Sequence, residues 1–268
     1  MKLYSKKELI RVLRDVFKQG WHTSVKGTRD TRNDGAVGNT LETLLGIKEN
    51  NLPIPNAREW ELKGQRSHTG SLVTLKHLEP SPTAALIVVN LLLPYYGWKH
   101  KEAGKKYPST EMSFRSTTSA TNYTIRGFRI VADRQLQKVR FVFDATKADS
   151  SDPEIAAWLR SVRERKGLGP LDPEPYWGFD DLRYAIGSKI KSCFYVIADS
   201  KTEASREFFL YKELYILTGF SFDNFIGCLE HGAILVDFDA RTGHNHGTKF
   251  RIRQGHWREL YSDVQRVI

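Results

Sequence analysis

The chain has 268 residues, enough to bury a sizeable core in one large domain or two modest lobes. It is 40% hydrophobic and 27% charged, an ordinary globular composition. Its longest apolar run, Ala84 to Trp98, is broken by Asn90 and Pro94, which excludes a membrane-spanning helix. The 41 Lys and Arg against 31 Asp and Glu leave a net charge of +10, a surplus that favours a polyanionic partner because cations on phosphates release condensed counterions.

The opening MKLYSKKELIRVL has no continuous apolar stretch of the secretory kind, and Cys193 and Cys228 make no disulfide framework, so they read as core thiols. The expected location is the prokaryotic cytoplasm. Ser5 is placed to cap a helix over 6–18, since Leu9, Ile10, Leu13, Val16 and Phe17 recur at helical spacing and Gly20 ends it. The stretch 26–38 is basic and Gly-rich and reads as a loop. Asn39 or Thr40 opens a short helix with Leu41, Leu44 and Leu45 on its buried side and Glu42 among them. Pro53 and Pro55 interrupt the chain before a strand at 60–65, and a second strand follows at 71–77.

Pro82 starts a buried helix through 93. The segments 128–132 and 139–144 pair as a hairpin across a polar turn at 134–137. Asp152-Pro153 is a helix start, cap then proline, for a helix ending at Gly167. Pro170, Pro173 and Pro175 form a stiff link near which two lobes are expected to meet. The last third reads as helix 180–191, strands 193–198 and 207–217, helix 222–230, strands 234–238 and 248–253, and a closing helix at 257–267. The pattern is mixed α/β.

The run Pro55-Asn56-Ala57-Arg58-Glu59-Trp60-Glu61-Leu62-Lys63 carries the sharpest chemistry. Residues two apart on a strand share a face, so Glu61 and Lys63 project together. An oxygen ligand at position 56, in the bend before the strand, can join Glu61 around a divalent metal. Mg²⁺ takes oxygen ligands and keeps several waters, so few carboxylates suffice. Such an ion polarises a scissile phosphate, while a lysine beside it stabilises the added charge and positions water. A Glu-x-Lys strand is also compatible with a solvated sheet edge. The bend at Pro55 and the upstream Glu42 set this one apart.

The run GAVGNTLETLLGIKENNLPIPNAREWELKGQR, residues 35–66, resembles the catalytic region of the MvaI/BcnI restriction endonucleases, relatives of the mismatch-repair nicking enzyme MutH. SLVTLKHLEP at 71–80 is similar to the family's next strand, and 236–253 to its recognition loop. The resemblance implies an α/β, PD-(D/E)xK (restriction endonuclease-like) fold: a mixed central sheet flanked by helices, in two lobes forming a DNA-binding cleft. It implies a single nuclease domain over 1–268, with a catalytic lobe centred on about 1–110 and a recognition lobe in the C-terminal part including 233–255. Glu42 is then a supporting acid, Glu61 the metal-binding acid and Lys63 the catalytic lysine. Where the family has aspartate this chain has Asn56, an uncharged amide offering one acceptor oxygen. Asn56 is therefore expected in the catalytic and metal set with Glu61, but in a cleavage-impaired form.

The loop Arg241-Thr242-Gly243-His244-Asn245-His246-Gly247-Thr248 runs into the strand Lys249-Phe250-Arg251-Ile252-Arg253. Its glycines permit sharp turns, and its side chains are hydrogen-bonders suited to base edges in a major groove. Lys249, Arg251 and Arg253 alternate, so they face one way. A plain basic hairpin has the same composition. Zinc at His244 and His246 lacks a full tetrahedral set, and Cys193 and Cys228 have no CxxC spacing. The letters HNH lack the dispersed ligands of a ββα metal site. Lys26, Arg29 and Arg32 either meet DNA phosphates or belong to a solvated loop, Arg66 is expected among the DNA-binding residues, and His77 either reaches the minor groove or is a structural histidine.

The resulting expectation is a type II restriction endonuclease that works as a monomer with Mg²⁺ on double-stranded DNA. It would cut a short CCWGG- or CCSGG-like site one strand at a time, with no membrane or obligate protein partner and a companion DNA methyltransferase. A MutH-like nicking enzyme and a non-catalytic DNA-binding protein are the alternatives.

Overall fold

The first helix, α1 (Lys6–Lys18), begins on a complete capping box. The Glu8 N–H donates to Ser5 Oγ, and the Ser5 N–H donates to the Glu8 carboxylate at 2.8 Å. The structure is a computed structural model describing residues 4–26, 35–47, 59–67 and 70–268. After α1 come β1 (Trp21–Thr23), α2 (Ala36–Leu44), β2 (Glu61–Arg66) and β3 (Leu72–His77). Helix α2 starts at Ala36 rather than at 39 or 40, because Ala36 and Val37 are fully buried and anchor its first turn. Leu44, expected on the buried side, is exposed.

The expected continuous helix from Pro82 to Leu93 is instead broken into a 3₁₀ turn (Thr83–Ala85), a π-helical turn (Val88–Leu92) and α3 (Leu93–Tyr96). Leu86 takes a left-handed φ of 46°, and Pro94 has no N–H to give to the preceding turn. Then come β4 (Trp98–Lys99), β5 (Met112–Thr118) and the hairpin β6 (Arg126–Asp133) with β7 (Lys138–Ala148). Helix α4 (Pro153–Arg165) is capped by the Asp152 carboxylate, which accepts from the N–H groups of Glu154 and Ile155. It leads to β8 (Tyr176–Gly178), α5 (Phe179–Ile190), β9 (Cys193–Glu203), β10 (Arg206–Phe220), α6 (Phe222–Glu230), β11 (Ile234–Arg241), β12 (His244–Asn245) and β13 (Lys249–Arg253).

The expected closing helix at 257–267 is absent. A 3₁₀ segment (Gln254–Leu260) is followed by β14 (Tyr261–Arg266), which pairs antiparallel with β10 from Phe220↔Tyr261 to Tyr215↔Arg266. The open edge of β10 satisfies the backbone groups of this segment as well as a helix would.

The chain divides into two compact units. The first comprises Met1–Val73, Tyr184–Asn224 and Arg253–Ile268, and the second Thr74–Arg183 and Phe225–Ile252. The Pro-rich segment at 170–175 therefore lies inside the second unit, and residues 74–110 belong there too. In the first unit the sheet order is β1-β10-β9-β2, with β14 also on β10. Helices α1 and α2 cover one face, where Leu9, Leu13, Val37 and Leu41 pack with Leu62, Phe194, Val196, Phe209 and Ile216. In the second unit one sheet runs β3-β13-β11-β5-β4 and another β6-β7-β8. Their aromatic side chains fill the core. Phe114 meets Phe128 at 5.4 Å and Phe141 meets Phe238 at 4.5 Å between ring centres.

Candidate active site

Strand β2 lies parallel to β9 at the sheet edge, with Glu61 opposite Cys193 and Lys63 opposite Tyr195. Its entry is anchored by Trp60, whose ring sits edge-on to Phe194 at 4.9 Å. Because Leu62 points into the α1/α2 core, the strand period turns Glu61 and Lys63 to the other face. A Cβ on Gly64 would stand 3.3 Å from the backbone N and Cα of Gly38. The two glycines thus let α2 lie directly against β2, which brings Glu42 within electrostatic reach of Lys63.

Lys63 Nζ is 2.8 Å from Glu61 Oε1, with side-chain exposures of 20% and 1%. A second ammonium, Lys189 Nζ from α5, stands 3.9 Å from the same oxygen. Burial alone would push the Lys63 pKa down. The charge and hydrogen bond of Glu61 outweigh it, with smaller help from Cys193 and Glu42, and raise it above the ordinary lysine value. Lys63 is therefore an ammonium at neutral pH, a donor of charge and hydrogen bonds rather than a base. Beneath the pair, Cys193 is wholly buried, and burial drives its thiol pKa far up, so it is an inert thiol. Tyr195 stacks on Trp257 at 5.9 Å, and the Tyr261 hydroxyl donates to the Ile190 carbonyl at 2.8 Å, closing the floor of the site.

The other carboxylate oxygen, Glu61 Oε2, is buried and has no hydrogen-bond partner among the described residues. A buried carboxylate oxygen left without a donor is costly, and a hard divalent cation is a fitting partner for it. The donor set present thus fits an oxygen-liganded metal. Asn56, expected as the second ligand, lies outside the described residues, as do Arg29 and Arg32.

The expected base-contacting loop is in the second unit. Arg241 and His244 pair across the Thr242–Gly243 turn, where Gly243 has φ 68°. Thr242 is held by two bonds to the Met112 backbone, its N–H donating to the carbonyl and its Oγ1 accepting from the N–H, both at 3.0 Å. Glu79 braces the loop from beneath. Its carboxylate accepts from the Thr248 N–H at 2.9 Å, from Thr248 Oγ1 at 3.2 Å and from Asn245 Nδ2 at 3.4 Å. His244 and His246 are exposed, with ring centres 4.1 Å apart. Desolvation, aided by His244, Lys249 and Arg115 and opposed by Asp239, lowers the His246 pKa, so its ring is neutral at pH 7.

Phe250 and Ile252 are buried, which turns Lys249, Arg251 and Arg253 to the opposite face of β13. Lys249 Nζ is 3.5 Å from Asp239, Arg251 Nη1 is 3.3 Å from Asp237, and Arg241 Nη1 is 2.9 Å from Glu111. These carboxylates orient the cations before any ligand arrives. His77 is exposed at the end of β3, and Lys26 is half-buried with its N–H on Ser24 Oγ.

Arg66, expected among the DNA-binding residues, is engaged within the protein. It is 8% exposed, and its Nε and Nη2 donate to Glu207 at 2.7 and 2.8 Å. Such a bidentate pair is a structural clasp between β2 and β10.

Sequence reading alone missed Lys189, Glu79 and Arg115. Arg115 sits cross-strand from Asp239 and pairs with it at 2.9 Å. Only Arg115 left a local signal, the alternation of Phe114, Arg115, Ser116 and Thr117.

The model of the MvaI/BcnI restriction endonuclease family matches residues 10–261. No curated protein matches the chain. Among solved structures it is similar to the restriction endonuclease MvaI in complex with its cognate DNA substrate, at 23% identity and a TM-score of 0.74, covering 99% of this chain and 100% of that one. It is also similar to MvaI in the absence of DNA, at 24% identity and a TM-score of 0.53 over 100% of both chains. At these identities the structural likeness speaks for the restriction endonuclease-like α/β fold.

Proposed function

This chain belongs to the MvaI/BcnI restriction endonuclease family, and on that premise we propose a type II enzyme that hydrolyses a short CCWGG- or CCSGG-like duplex site with Mg²⁺. The family makes it a sequence-specific DNA endonuclease, and such enzymes generally use divalent metal ions. The single observation that carries the chemistry is Glu61, a buried carboxylate with one oxygen on Lys63 and the other without a partner among the described residues.

In this reading Glu61 and the side chain at position 56 would hold the ion, which when bound would supply Lewis-acid charge for the scissile phosphate and for an attacking water. Lys63, kept protonated, stabilises the negative charge that builds on the phosphate and orients the attacking water. Glu42 supports the Lys63 ammonium from α2. Lys249, Arg251 and Arg253 with Lys26, Arg29 and Arg32 neutralise phosphates, while Arg241, His244, Asn245 and His246 read base edges. His77 adds a contact near the minor groove. The enzyme acts as a monomer, one strand at a time, in a prokaryotic cytoplasm beside a methyltransferase of matching specificity.

Asn56 favours a second reading, DNA binding with weak cleavage, because an amide brings no negative charge to the metal. The test is plasmid cleavage with Mg²⁺ by this chain and by Asn56→Asp. The proposal expects paired-strand cuts at one short site and a rate at least about tenfold higher for Asn56→Asp. Equal rates would remove the impairment argument. Binding without cutting by either form would leave a DNA-binding protein, and nicks confined to one strand a nicking enzyme.

A further inference from the structure

The second unit contains a cavity of about 970 Å³ whose wall is cationic and aromatic. Lys99, Lys101 and Arg126 line it together with Trp98, His100 and Trp158. The Arg126 guanidinium lies between two indoles, 4.0 Å from the Trp98 ring centre and 5.7 Å from that of Trp158. Its Nε is buried without a hydrogen-bond partner, and no carboxylate forms an ion pair with it among the described residues. Burial pushes its pKa down, and the charges of Glu154 and Asp152 offset this only in part. A half-buried cation whose charge is only partly balanced is costly to the fold unless something else supplies the rest.

The neighbouring groups repeat the pattern. His100 is 4% exposed, and its Nδ1 accepts from the Glu102 N–H at 3.0 Å. With Nδ1 accepting, Nε2 is left as the ring's N–H donor, and it is buried with no partner among the described residues. Lys99 and Lys101 are exposed and form no ion pair among the described residues. The other two guanidinium groups of the wall are engaged. Arg115 is paired with Asp239, and Arg165 donates to the carbonyls of Ser161, Pro94 and Gly97. Glu154 is the one carboxylate in the wall, and it is exposed. Cationic side chains outnumber carboxylates among the described residues of the wall, and the volume is within the range that takes a nucleotide-sized ligand.

We propose that this cavity binds a nucleotide through its phosphate group, with Arg126, held flat by Trp98 and Trp158, on the phosphate oxygens and Lys99 and Lys101 at the mouth. Arginine matches phosphate with paired hydrogen bonds, and the two lysines add point charges at the rim. The phosphate ester is that of a free mononucleotide, a ligand separate from the duplex substrate. The site lies wholly in the second unit, whereas Glu61 and Lys63 are in the first, so it does not rest on the cleavage reading.

The two indoles make tryptophan fluorescence a direct readout, with calorimetry alongside. The full chain is titrated with dCMP, deoxycytidine, inorganic phosphate and a short duplex lacking the recognition site. The same is done with Arg126→Gln and with the double variant Lys99→Gln/Lys101→Gln, whose exposed positions leave the fold undisturbed. A free-nucleotide site binds dCMP but not deoxycytidine, and the lysine variant weakens it about tenfold. A cavity that ignores dCMP and phosphate while duplex affinity falls about tenfold in the lysine variant would belong to the duplex interface and would overturn the nucleotide assignment. Equal binding of deoxycytidine and dCMP would overturn the phosphate assignment. So would failure of dCMP and phosphate to bind together with unchanged duplex affinity in the lysine variant.

Discussion

Replacing Glu61 by glutamine tests the electrostatic argument at its centre. In the native chain two ammonium groups, Lys63 at 2.8 Å and Lys189 at 3.9 Å, share one buried carboxylate oxygen. Glutamine keeps a carbonyl acceptor but removes the charge, so burial becomes the dominant influence on Lys63. Breaking a buried pair from one side costs about 3–5 kcal/mol. The retained acceptor and the 20% exposure of Lys63 reduce this, and we expect about 2 kcal/mol. For a chain of this size that corresponds to about 4–8 °C in Tm.

The pH dependence follows from the direction of the shift. The raised Lys63 pKa means that its stabilising contribution is complete below its unfolded value, about 10.4, and is lost as pH rises through the higher folded value. In Glu61→Gln burial should bring the folded value below the unfolded one, so the deficit is full near neutrality and narrows as pH rises through that lowered value toward and beyond about 10.4. Thermal melts from pH 6 to 10.5, with and without Mg²⁺, measure this. Mg²⁺ should raise the Tm of the native chain by binding Oε2, which has no partner among the described residues, and should have no such effect on Glu61→Gln. A variant as stable as the native chain, with Mg²⁺ stabilisation intact, would refute the reasoning.

Three further outcomes are expected. Glu79→Ala removes the acceptor for the buried Thr248 N–H and for Asn245, a loss of about 1.5–3 kcal/mol in loop organisation. Competition binding should then show discrimination between cognate and unrelated duplex reduced about tenfold or more, with unspecific affinity retained. Arg66→Ala strands Glu207 and should cost about 3 kcal/mol in denaturant melts, while the folded protein keeps its DNA affinity at fixed salt. A large fall in affinity would return Arg66 to the DNA interface. By NMR titration His246 should protonate with a midpoint below its ordinary value of 6.5, so DNA affinity should be insensitive to this ring above that pH. A midpoint above 6.5 would contradict the desolvation that the loop imposes.

Local spacing alone determined much of this protein. Ser5 ahead of the apolar period, and Asp152 followed by Pro153, specify helix starts from local chain alone, and both helices begin there. Period-two alternation put Glu61 and Lys63 on one face, and Lys249, Arg251 and Arg253 on another, because side-chain direction along a strand is a backbone property. The family was legible from the run 35–66 for the same reason: its acids and lysine lie close together along the chain.

What lay beyond local reading depends on pairings across long stretches of chain. Lys189 reaches Glu61 only because β9 docks beside β2, and Arg66 meets Glu207 across 141 residues. Glu79 braces a loop 169 residues away, and the terminal segment that scans as helix becomes β14 because β10 offers it an open edge. Periodicity states which residues share a face. Only the folded sheets state what that face meets, since a charge or a backbone donor is satisfied by whichever partner tertiary packing brings within bonding distance.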